Sequence, residues 1–361
     1  MARQLRAVTV VMLLAILFVG GVAFVRTQRQ HRQSRMPAQH FGIADPILLG
    51  ETTTMQASQL AAMKAIGITS VRVDADWGMV QAAGAGTFNW ARLDRVVRSA
   101  RAAGMLVDLI IDGCPRWAAL AGTSGASSPQ PASSTQYARW AANVAARYAP
   151  EGVNTFEIWN EPNSALFWQP KPSPSAYTAD LVAAHSAIKA VDPSAFIISG
   201  GLAPTVTQNG NVSAIDFLEA MYADGAKGSF DALGYHAYSF PELPDTYGSA
   251  WSEMAHTDPS LRSVMISHGD RGKPIWITEF GAPSGGPNGV GETAQAIALA
   301  QGVANVKATP WIGALYVYTW EDAGIDPRNE QDWFGLLTAG GSAKPAYRSL
   351  AAAIGRRSAP P

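Results

Sequence analysis

Two glutamates stand out by type and setting. Glu161 closes the segment Thr155-Phe156-Glu157-Ile158-Trp159-Asn160-Glu161-Pro162-Asn163, and Glu279 lies in Ile275-Trp276-Ile277-Thr278-Glu279-Phe280-Gly281. Each follows a run rich in β-branched and aromatic residues, which reads as a strand. Alternation puts Glu157, Trp159 and Glu161 on one face of the first strand, and Ile275, Ile277 and Glu279 on one face of the second. Pro162 cannot continue a ladder and Gly281 opens a loop, so both carboxylates are expected at strand ends. Two carboxyl groups across a shared mouth can divide the breaking of a glycosidic bond. One protonates the leaving oxygen; the other attacks the carbon or activates water. A lone glutamate at a strand end is ordinarily a solvated loop residue, and it is the matched pair that points to chemistry.

Other polar faces support the pair. Arg72, Asp74 and Asp76 share one face of the run 70–76. An arginine beside a carboxylate keeps it ionised, as a nucleophile requires. Gly234, His236 and Tyr238 share a face near the end of another run, and Tyr316, Tyr318 and Trp320 share a face of the last. The aromatic face serves either as core or as a floor under the apolar face of a sugar ring. Trp77, Trp117 and Trp168 follow the second, third and fourth runs, and eleven tryptophans in one chain suit a carbohydrate cleft.

These residues need a scaffold that brings strand ends together. Eight short apolar runs begin near residues 41, 70, 106, 155, 195, 230, 274 and 314. Amphipathic stretches at 57–67, 90–104, 135–150, 175–193 and 293–308 separate them, several stopped by Gly67, Gly104 or Pro150. This alternation predicts an α/β fold, a (β/α)8 TIM barrel whose mouth lies at the carboxyl ends of the strands. A doubly wound sheet is disfavoured, because no G-x-G-x-x-G or Walker loop follows the first strand. The glycines at 285–291 match neither spacing and read as a loop.

Composition narrows the chemistry further. The chain has 361 residues, is 47% hydrophobic and 15% charged, and carries 27 basic against 28 acidic residues. That balance excludes disorder and gives no reason to expect nucleic acid. The single cysteine, Cys114, excludes an internal disulfide and any multi-cysteine metal site. None of the six histidines forms H-x-H or H-E-x-x-H, and there is no G-x-S-x-G elbow. No cofactor and no metal are expected.

The segments FEIWNEPN (156–163), YHAY (235–238), WITEFGAP (276–283), YVYTWED (316–322) and WFGLLTAGGSAKPAYRSL (333–350) together resemble the clan A glycoside hydrolases. The similarity is greatest to families 39 and 5, the latter the cellulase-type family, and runs from about residue 40 to 352. It implies a retaining barrel enzyme that cleaves O-glycosidic bonds of a β-linked poly- or oligosaccharide without a cofactor. On the matching positions, Glu161 corresponds to the acid/base and Glu279 to the nucleophile. Asn160 corresponds to the residue that holds the sugar 2-hydroxyl, and Arg72 to the arginine beside the nucleophile. Tyr238 corresponds to a hydrogen-bond partner of the nucleophile, His236 to a substrate-contacting neighbour and Trp320 to the sugar platform. A retaining mechanism predicts carboxyl groups ~5–5.5 Å apart. A binding-only barrel and a transglycosylase with the same residues are the alternatives.

Residues 7–25 carry no charge and are long enough to cross a bilayer as a helix. We expect residues 1–35 to be a signal or membrane anchor, 36–355 the catalytic domain and 356–361 a disordered tail. Arginines 26, 29, 32 and 35 would by the positive-inside rule retain the domain inside. A glycan substrate favours the outside, and an extracytoplasmic domain is the expectation. Oligomeric state is not legible.

Overall fold

The computed structural model describes residues 39–355. The expected anchor and tail lie outside the described residues. Among the described residues, no helix is long and apolar enough to cross a membrane.

Eight parallel strands form the barrel: β1 (His40–Ala44), β2 (Ser70–Asp76), β3 (Leu106–Asp112), β4 (Thr155–Asn160), β5 (Phe196–Gly201), β6 (Leu233–His236), β7 (Ile275–Phe280) and β8 (Ile312–Tyr318). The ladder runs β5-β4-β3-β2-β1-β8-β7-β6. The remaining gap, between β5 and β6, is closed by isolated parallel bridges at Ile198–Ala232 and Leu202–Tyr235. Every expected strand is present, each within a few residues of its apolar run.

Helices follow the strands and cover the barrel. Three of them start one to four residues before the apolar periodicity indicates, each behind a hydroxyl cap. Thr52 accepts from the Met55 N–H and begins the helix Thr53–Ala65. Ser133 and Ser173 likewise cap Ser134–Tyr148 and Pro174–Val191. Their buried faces and the outward residues of the strands make one large apolar layer, including Ile43, Val73, Leu109, Ile158, Ile277 and Val317.

The barrel interior is graded from bottom to top. A small apolar cluster of Ala44, Ile198, Ala232, Trp276, Ala314 and Tyr316 fills the lower part, with Phe196 stacked on Trp276 at 5.1 Å. The Ser70 and Tyr316 hydroxyls pair at 2.9 Å. Above them the interior turns polar and charged, and this upper layer carries the site.

Candidate active site

Arg72 is the hub. Its side chain is 2% exposed and sits in the barrel interior. Its Nε donates to Glu157 Oε2 at 2.6 Å, and Nη2 donates to Glu157 Oε1 at 3.2 Å and to Asn160 Oδ1 at 2.9 Å. Nη1 donates to Glu279 Oε1 at 2.5 Å. A planar guanidinium presents its donors as a fixed fork, so three side chains from two strands are held in one frame. Glu279 also accepts from the Tyr238 hydroxyl at 2.7 Å. Glu161 lies beside His236, whose Nδ1 is 2.8 Å from Glu161 Oε1 and 3.6 Å from Glu279 Oε2.

Both glutamates reach this position through irregular backbone. Strict alternation from Glu157 fails at Trp159, which has φ 71°, and Glu161 itself has φ 44°. Left-handed backbone is unfavourable for such residues and marks stored local strain. The kink turns Trp159 outward, where its indole N–H donates to the Phe167 carbonyl at 2.8 Å and its ring meets Trp168 and Tyr137. Asn160 and Glu161 then both face the mouth, and the Glu161 N–H donates to the Gly201 carbonyl at 3.0 Å. Gly200 is required here: a Cβ would stand 2.8 Å from the Trp159 carbonyl oxygen. On β7 the inward residues are Trp276 and Thr278 rather than Ile275 and Ile277, which join the outer layer. A register shift against β6 pairs His236 with Glu279, and Glu279 comes inward after Thr278. The expected grouping of Glu157 with Trp159, and of Ile275 and Ile277 with Glu279, is therefore corrected. The placement of both carboxylates at the mouth stands.

The charges are strongly coupled. Burial alone would raise the Glu279 pKa, but His236, Arg72 and the Tyr238 hydroxyl outweigh it and hold the carboxyl below its usual range. Burial alone would lower the His236 pKa, but the charges of Glu279 and Glu161 outweigh it and raise it. Further carboxylates ring the same mouth. Burial pushes Asp45, at the end of β1, up to about 6, against the backbone N–H groups of Ile47 and Leu48. Burial likewise raises Asp74 and Asp112, reinforced by neighbouring carboxylates and opposed by Arg72.

One donor atom from each of Glu161, His236 and Glu279 lies within 4.8 Å of the others, a spacing that could hold a cation. The Arg72 guanidinium already fills much of that role, 2.5 Å from Glu279 and 3.5 Å from His236 Nε2. His236 Nδ1, 2.8 Å from Glu161 Oε1, is placed to share a proton with that carboxyl group. The donor set suits a proton better than a metal.

The aromatic residues need correction. Trp77 is 1% exposed, stacked on Trp140 at 6.2 Å, with its N–H given to Gln81. Trp168 is fully buried against Trp159 and Tyr177, its N–H given to Gln130. Neither reaches a cleft, because each seals a loop onto the barrel wall. Trp117 is half-buried, edge-on to Trp77, with its N–H on the Gln81 carbonyl. Trp320 is 1% exposed and packs on Tyr347. Strand β8 ends at Tyr318, and the chain beyond it turns to pair Trp320 with Leu336 and Leu337, so alternation does not carry to Trp320. Tyr318 instead faces the site, edge-on to Tyr238 at 6.4 Å, half-exposed and within the field of Glu279, Asp45 and Asp74. His236 is fully buried and touches the carboxylates, so it is not an open substrate contact.

Sequence reasoning gave Glu157 no role, although it binds Arg72 with both oxygens and is fully buried. The available signal was a carboxylate in mid-strand at the level of the one arginine on the inward face of β2. The close approach of β5 to β6 was also missed: a Cβ on Gly201 would overlap the His236 ring.

Residues 33–315 match the model of the cellulase family, glycosyl hydrolase family 5. The chain belongs to glycosyl hydrolase family 5. Its barrel is a glycosyl hydrolase family 5 domain, and the same fold recurs in solved structures. A family 39 glycoside hydrolase from the gut symbiont Bacteroides cellulosilyticus WH2 superposes with a TM-score of 0.69 at 21% identity, covering 89% of this chain and 64% of that one. GH5_18 from Streptomyces cattleya, in complex with GlcNAc, gives 0.68 at 18% identity, covering 89% and 80%. A monomeric β-xylosidase from Caulobacter crescentus CB15 gives 0.63 at 19% identity, covering 91% and 70%. This family 5 chain thus spans under two thirds of the first of these. No curated protein matches the sequence.

Proposed function

We propose that this domain hydrolyses a β-linked oligo- or polysaccharide of neutral sugars by double displacement, with Glu279 as nucleophile and Glu161 as acid/base. The observation that carries the reading is spacing: a carboxylate oxygen of Glu161 lies within 4.8 Å of one of Glu279. Retaining glycosidases hold their carboxyl groups ~5–5.5 Å apart, whereas inversion needs room for a water and a separation of about 6.5–9.5 Å.

Arg72 and Tyr238 hold Glu279 ionised and aimed, so it attacks the anomeric carbon while Glu161 gives its proton to the leaving oxygen. Esterification removes the charge on Glu279, and Glu161 then takes a proton from water, which cleaves the glycosyl-enzyme. The Asn160 carboxamide spends its oxygen on Arg72, which leaves its NH2 to donate to the sugar 2-hydroxyl. Tyr318 supplies the aromatic floor. The carboxyl groups of Asp45, Asp74 and Asp112 at the mouth can exchange hydrogen bonds with the hydroxyls of a neutral sugar.

Mass spectrometry after incubation with a panel of 2-deoxy-2-fluoro glycosyl fluorides tests this reading. We expect an adduct on Glu279 with a neutral sugar. An adduct on another residue overturns the assignment. Sugar affinity with no adduct or turnover across the panel supports the binding-only barrel instead.

The two aromatic positions separate cleanly. Tyr318→Ala is expected to lower kcat/KM about tenfold, the scale of one aromatic contact, with little change in melting temperature. Trp320→Ala is expected to cost ~3–5 kcal/mol of folding stability as a buried large-to-small change, read by urea denaturation.

A further inference from the structure

We propose that Glu157 is the positioning residue of this site: acting through the Arg72 guanidinium, it fixes where the Glu279 carboxylate and the Asn160 carboxamide stand and offsets the charge that Arg72 presents to them. The inference rests on Glu279 being the nucleophile.

The geometry carries it. Glu157 is fully buried in mid-barrel and holds Arg72 with both oxygens, at 2.6 and 3.2 Å. Its own place is set from two further strands. Oε1 accepts from the Gly201 N–H of β5 at 2.8 Å and from the Thr278 hydroxyl of β7 at 3.0 Å. Four strands therefore meet at one carboxylate, and Arg72 leaves it with a single orientation. The donors that remain, Nη1 and the second hydrogen of Nη2, then fall on Glu279 and Asn160. A lysine-like point charge would not transmit position in this way; a fork bound on one edge does.

The second consequence is electrostatic. Arg72 is shared between Glu157 and Glu279, so the pull on Glu279 is only part of a full positive charge. The other groups facing Glu279 are Asp74 from β2, Glu161 just beyond β4, His236 from β6, Tyr238 just beyond it, and Tyr318 from β8. Glu157 has Asp108 of β3 as its acidic neighbour. His236 Nδ1 stands 3.6 Å from Glu279 Oε2, so the acid limb of the rate reports the nucleophile together with its histidine neighbour. The limb marks loss of activity as pH falls and the nucleophile takes up a proton. Removing the Glu157 charge leaves Arg72 wholly to Glu279, which makes that proton harder to add. The limb moves to lower pH.

The test is the pH profile of kcat/KM for Glu157→Gln beside the wild type, with fluoro-sugar labelling of the wild type as control. The expected result is a fall in kcat/KM of about ten- to a hundredfold from misplacement, with the acid limb displaced downward by roughly half a pH unit or more. Should Glu157→Gln fail to fold, Glu157→Asp takes its place. It draws the charge back by one methylene, and the limb then moves the same way by less. A fall in rate with an unmoved limb, in whichever variant folds, makes Glu157 merely structural and overturns the inference. A wild-type label on a residue other than Glu279 overturns the reading beneath it instead.

Discussion

Glu279→Gly is expected to reduce kcat by about 10⁴-fold or more on any substrate, because no neighbouring group can form the covalent intermediate in its place. The variant should still fold, since Arg72 keeps its two-oxygen pairing with buried Glu157. Azide in the emptied space offers an external nucleophile, which approaches from the face Glu279 occupied. A single displacement follows, and the glycosyl azide has the configuration opposite to the substrate. NMR of that product is the measurement. Formation of the retained-configuration azide would mean that a different residue had attacked first.

Glu161→Ala gives a contrasting pattern. General acid catalysis contributes ~10²–10⁴-fold, and a substrate needs it in proportion to the poorness of its leaving group. The loss should approach the upper figure for natural glycosides and nearly vanish in the first step for a dinitrophenyl glycoside. The covalent intermediate then accumulates, because water lacks its base. Azide needs no base, so it speeds turnover and yields the retained product. A uniform loss across leaving groups, with no azide effect, would remove Glu161 from the acid/base role. The opposite configurations of the two azide products let the two assignments fail separately.

Much of this site could be read before any coordinates, and the failures share a cause. Strand existence follows from local composition, so all eight strands and the ends bearing Glu161 and Glu279 were legible. Which way a side chain points depends on counting by two, and one kink resets the count. The left-handed backbone at Trp159 and the shift after Thr278 did so on the two strands that matter most. Tryptophan exposure was illegible for another reason. Whether Trp77 or Trp168 lies in a cleft or under a loop depends on partners such as Trp140 and Tyr177, far along the chain. The same holds for Tyr318 and Trp320, whose difference arises only where β8 stops. Glu157 escaped because a buried carboxylate looks like an error until its arginine is found.

The barrel resembles a bound book. Its spine is the continuous hydrogen-bonded ladder through β1 and β8, and its fore-edge is the junction of β5 with β6, held by isolated bridges. Glu161 belongs to the strand just inside one cover and Glu279 to the strand just inside the other. The gap across which a glycoside must be gripped thus lies beside the seam that isolated bridges, not a continuous ladder, hold together. Thermal opening of such a structure starts where cooperative pairing is thinnest. A sugar bound by both covers acts as a clasp, and its binding free energy is returned as resistance to opening. The seam without a continuous ladder is the one its substrate can hold shut.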